Sequence, residues 1–61
     1  MAIVVVQSNR SIASVISQAM IFGVDCEKIS GKNNQVELTG DFSKIAEIID
    51  RTGATVVSRV G

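Results

Sequence analysis

The sequence predicts an α+β fold of the ferredoxin-like βαββαβ type: a four-stranded antiparallel sheet with two helices on one face. Three observations predict it. Strand-like apolar runs and helical apolar stripes follow one another in the order β-α-β-β-α-β. Glycines stand where each helix should stop, at Gly23 and Gly53. A polar stretch, Gly31-Lys32-Asn33-Asn34, separates the two middle strands as a hairpin turn would. Right-handed crossovers then put both helices on one side of the sheet. The usual strand order for this topology is 4-1-3-2, with the first strand inside the sheet.

Each element has its own signal. Ile3 to Gln7 is rich in β-branched residues and reads as a strand covered at least partly on both faces. Ser8-Asn9 supplies side-chain oxygens suited to a helix N-cap. Ile12, Val15, Ile16, Ala19 and Met20 then fall on one helical face, with Ser14, Ser17 and Gln18 off it. Val24 to Ser30 reads as the second strand. Gln35-Val36-Glu37-Leu38-Thr39 alternates cleanly, with Val36 and Leu38 on one face. Asp41 is the expected N-cap of a second helix whose buried stripe is Phe42, Ile45, Ile48 and Ile49. Glu47 and Arg51 are spaced for an i,i+4 pair in the favourable order. Ala54 to Val60 reads as the last strand.

A chain of 61 residues forms one domain, spanning 1–61. Its folded surface should be roughly 3,800 Å², which leaves a small core and a marginal fold. Six basic and six acidic residues cancel. That balance argues against nucleic acid as a partner, because no basic excess exists to displace phosphate counterions. The only aromatics, Phe22 and Phe42, sit at helical positions that suit a core rather than a base-stacking sheet face. The apolar run from Ile3 to Val6 is too short for a signal segment or a membrane span. With a single cysteine, Cys26, no internal disulfide can form, and a cytoplasmic setting is expected.

The chemistry-bearing residues point away from catalysis. One cysteine and no histidine give no metal site and no cofactor ligand set. The serines lack a histidine base, and no glycine-rich phosphate loop is present, so no catalytic residue is assigned. Glu27 and Glu37 could lie near each other across the hairpin as solvated strand residues. Two surfaces are candidates for binding. The first is the sheet face left bare by the helices, where Val4, Val6, Val56 and Val60 would form an apolar contact for a protein partner or a second copy of the chain. The edge strands offer an alternative route of the same kind. The second candidate is the loop Ser8-Asn9-Arg10-Ser11 at the start of the first helix. There an arginine, two hydroxyls and free backbone N–H groups could hold a small anionic ligand.

The stretch from Gly23-Val24-Asp25 to Gly31, followed by Asn34-Gln35-Val36-Glu37-Leu38-Thr39-Gly40-Asp41, resembles heavy-metal-associated domains. The likeness runs from about Ile12 to Val57 and implies the same fold. The family's metal motif, M-x-C-x-x-C, belongs in the first loop, which here reads Gln7-Ser8-Asn9-Arg10-Ser11 without a cysteine. Metal transfer is therefore not implied. Metal-free relatives of that family act as protein-binding surfaces, which agrees with the reading of the bare sheet face: a non-catalytic interaction domain, an adaptor or inhibitor that self-associates. Ligand-sensing regulatory domains of the ACT type are similar in topology alone. They imply an alternative in which a small anionic metabolite binds at the loop between the first strand and the first helix.

Overall fold

Backbone pairing, and not apolar content alone, decides which side of each strand is buried here. The computed structural model describes residues 1–61 and gives β1 (Ala2–Gln7), α1 (Ile12–Phe22), β2 (Asp25–Lys28), β3 (Gln35–Gly40), α2 (Phe42–Thr52) and β4 (Thr55–Val60). The sheet order is β2-β3-β1-β4 with every neighbour antiparallel, the ferredoxin-like arrangement. The accessible surface is 3849 Å², close to the expectation for a chain of this length.

Register fixes the two faces. Val4 lies opposite Leu38 and Val6 opposite Val36. All four are buried against the helices, with Val15, Ala19, Ile45 and Ile48 completing the centre of the core. The alternate residues Ile3, Val5 and Gln7 face the bare side of the sheet, opposite Thr39, Glu37 and Gln35. This corrects the expectation that Val4 and Val6 belong to the uncovered face: they are the most deeply buried residues of β1.

β4 departs from simple alternation. Val5 pairs with Ser58 and Val6 with Val56, so Val57 is an extra residue in a β-bulge. The bulge shifts the parity of the strand. Val56 and Arg59 share the helix side with Val6 and Val4, whereas Val60 shares the open face with Ile3. Val56 and Val60 are thus on opposite faces, not on one face as their spacing predicts. Neither helix packs extensively on β4, since α1 and α2 lie over β1, β2 and β3. Every residue of β4 is consequently exposed.

The helix ends follow local chemistry. Ser11, not Ser8 or Asn9, caps α1, its Oγ accepting from the Ala13 N–H at 3.1 Å. The C-cap Gly23 has φ 69°, and the N–H groups of Gly23 and Val24 close on Met20 and Ala19 carbonyls. Met20 leaves the predicted stripe and is 77% exposed, while Phe22 at the end of the helix packs against the core. The second strand is shorter than predicted: pairing ends at Lys28, and Ile29 to Asn34 form the turn region. In α2 the Glu47–Arg51 pair forms at 3.1 Å on the exposed face.

Asp41 caps α2. Its Oδ1 accepts from the Ser43 N–H and the Ser43 hydroxyl, both at 2.9 Å. The backbone hydrogen bond from Ser43, reinforced by its hydroxyl, holds the Asp41 carboxyl below the usual carboxylate range. The folded state thus binds this proton less readily than the unfolded chain. The cap stabilises fully above the ordinary aspartate value near ~4 and is lost as pH falls through the lower folded value. Thermal melts across an acid pH series should therefore show a shallower loss of stability for Asp41→Asn, which keeps a capping oxygen without the charge.

Candidate functional site

The β1–α1 loop is built from groups that already have partners. The Ser8 hydroxyl donates to the Ser11 carbonyl at 3.0 Å and accepts from the Arg10 N–H at 3.2 Å. Ser8 itself is buried. Ser11 Oγ is committed to the cap, and Asn9 Nδ2 donates to the Gly53 carbonyl at 3.3 Å, tying the loop to the end of α2. Of the four residues predicted to hold an anion, the Arg10 side chain alone makes no hydrogen bond within the chain. The loop borders an open polar groove of about 800 Å³ between α1 and α2, lined by Arg10, Gln18, Asp50 and Arg51 among others. Asp50 and the partnerless buried Oε1 of Gln18 are acceptors and do not favour an anion. Arg51 is engaged by Glu47 and lies 5.3 Å from the Phe22 ring. The structure brings the loop residues together, but chiefly as a folding device.

The sheet gives a different picture. Across the open face, one row reads Asp25, Thr39, Ile3, Val60, and the next reads Glu27, Glu37, Val5, Ser58. A third row holds Gln35, Gln7 and Thr55, with Gln35 Nε2 donating to Gln7 Oε1 at 3.3 Å. The face is therefore acidic over β2 and β3 and carries an apolar patch of Ile3, Val5 and Val60 on β1 and β4, bordered by Ser58, Gln7 and Thr55. Ile3 is 39% exposed and Val60 66%. Glu27 and Glu37 are directly opposite each other, as their positions across the hairpin suggested.

Comparison with family models, with curated proteins and with solved structures finds no match. Cys26 points to the helix side beside Leu38, and partial burial pushes its thiol pKa up, away from a reactive thiolate. No group of three or more Cys, Asp or Glu side chains is disposed to hold a metal ion. No helix is long and apolar enough to cross a membrane.

The two edges of the sheet differ sharply. β2 is four residues long, and three of them, Asp25, Glu27 and Lys28, are charged, a composition that discourages strand addition. β4 is six residues long and exposes Val56, Val57 and Val60 to 48%, 50% and 66%. Its one charge, Arg59, is folded back: the guanidinium sits 3.6 Å from the Phe42 ring centroid, and Nε donates to the Gly61 carbonyl at 3.2 Å. Sequence reasoning missed Ile3, Val5 and Val57 as surface residues. The signal was available in Gln7, whose polar side chain marks the face it shares with Ile3 and Val5.

Proposed function

We propose that the chain is a non-catalytic protein-interaction domain that works through the β4 edge and self-associates there. The observation that carries this reading is the contrast between the edges: β2 is short and charged, and β4 is long, valine-rich and little covered by the helices, which meet it through Phe42 against Arg59. An exposed edge offers unpaired N–H and C=O groups to another strand, and alternate side chains give it specificity. Pairing of β4 with β4 of a second copy is isologous, so it closes at a dimer. The charged β2 edges, then outermost, resist further growth. The bulge at Val57 limits regular pairing to short runs, which suits a weak, reversible contact more than a permanent one. Such a domain serves as an adaptor or regulatory inhibitor, and its lone, partly buried Cys26 suits a reducing cytoplasm.

Light scattering over a dilution series tests the proposal. The expected result is a mass that rises from monomer toward dimer within the micromolar range. Val57→Lys and Val60→Lys should shift that transition to higher concentration while leaving the far-UV circular dichroism unchanged. A monomeric mass at every concentration, or equal association in both variants, contradicts self-association through β4.

A further inference from the structure

We infer that the open sheet face docks a basic partner: a protein segment presenting Lys or Arg side chains beside an apolar one. The inference rests on the reading of the chain as an interaction domain, but it concerns the face that adjoins the β4 edge, meeting it at Val60, and a different occupant.

The neutral net charge conceals a segregation. Asp25, Glu27 and Glu37 all face the open side of the sheet. Neither of the two basic residues within the strands does. Lys28 and Arg59 lie on the helix side by register, Lys44 and Arg51 on α2, Arg10 in the β1–α1 loop and Lys32 in the hairpin turn. The open face thus carries three carboxylates uncompensated, and the rest of the molecule carries six basic groups against Asp41, Glu47 and Asp50.

Within the chain this arrangement has a cost and no return. Glu27 and Glu37 occupy directly opposed positions on neighbouring strands, where like charges destabilise a sheet. Neither has a counter-ion, because Glu47–Arg51 is the only ion pair in the molecule. Beside the carboxylates, on the same face, Ile3, Val5 and Val60 form an apolar strip. Three carboxylates next to a small apolar patch are complementary to a partner with basic and apolar side chains together.

The same charges exclude the other occupants. Two copies meeting face to face would bring six carboxylates into one interface, and like-charge juxtaposition opposes that contact. Nucleic acid would be repelled. A metal ion finds no suitable ligand group here.

The test uses the full chain, labelled with nitrogen-15, at a concentration where light scattering shows monomer. It is titrated with a blocked synthetic peptide of alternating Lys and Leu, and separately with its Glu–Leu counterpart. The expected result is saturable shifts at the amides of Ile3, Val5, Glu27 and Glu37 with the Lys–Leu peptide, weakened by added salt, and none with the Glu–Leu peptide. Glu37→Lys should weaken the peptide about fivefold or more. It should also raise the melting temperature by about 2–6 °C, because the opposed glutamates become an opposite-charge pair. Glu27→Gln, a neutral change at an exposed position, should weaken binding in the same direction if Glu37→Lys fails to fold. Shifts confined to β4 amides would overturn this inference and leave the edge reading intact. Equal response to both peptides, or none to either, would overturn it too, while self-association is decided separately by mass.

Discussion

Val4→Lys is expected to leave the chain unfolded at room temperature, and Ile3→Lys, one residue earlier, to leave it folded. Val4 is fully buried between Leu38 and Arg59 of the neighbouring strands, beneath the helices. A lysine there must either bury an ammonium group or force the helices off the sheet, at a cost of several kcal/mol. A domain of this size has about 3–9 kcal/mol of stability in all. Ile3 is 39% exposed on the open face and can carry its ammonium into water. Circular dichroism and thermal melts of the two variants decide the matter. A folded Val4→Lys beside an unfolded Ile3→Lys would reverse the assignment of the two faces.

Leu38→Ala is expected to have the next largest effect. Leu38 is fully buried at the centre of the core, with Cys26 and Val4 as its strand neighbours. Its truncation removes the transfer energy of the missing carbons and leaves a cavity, about 2–5 kcal/mol in sum. That is a large share of the total stability, so the urea midpoint should fall steeply with little change in slope. A loss below about 1 kcal/mol would mean that the helices collapse into the gap and that the core is loosely packed.

Much of this architecture is legible in the sequence because it is set by local chemistry. Gly23 and Gly53 end the helices through left-handed caps, with φ of 69° and 70°. Asp41 starts α2 as its side chain requires. The clean alternation of Val36 and Leu38 marks the core face of β3 without help from any other strand. The strand order follows from right-handed crossovers.

What was not legible depends on long-range pairing. In Ile3-Val4-Val5-Val6 every position is apolar, so the run itself does not say which alternate pair is buried, and Gln7 at its end is the one local hint. The answer lies in the register with β3, where Val4 meets Leu38. Val56 and Val60 were misjudged together for a related reason: a bulge at Val57 reverses parity, and nothing in Thr55-Val56-Val57-Ser58 announces it. The loop Ser8–Ser11 read as an anion site because serine and asparagine serve caps and ligands alike. The fold uses them for hydrogen bonds to Ser11, Ala13 and Gly53. The charge segregation was hidden by a sum of zero and emerges only when each residue is placed on its face.

The sheet thus has a charged edge at β2, an open edge at β4 and an acidic face with an apolar patch between them. Amide hydrogen exchange of the wild-type chain, followed from low to high micromolar concentration, tests the central part of that division. The expected result is protection that grows with concentration at amides of β4 and stays constant at those of β2. Protection that grows along β2, or nowhere in the sheet, would contradict the β4 edge as the surface through which this protein acts.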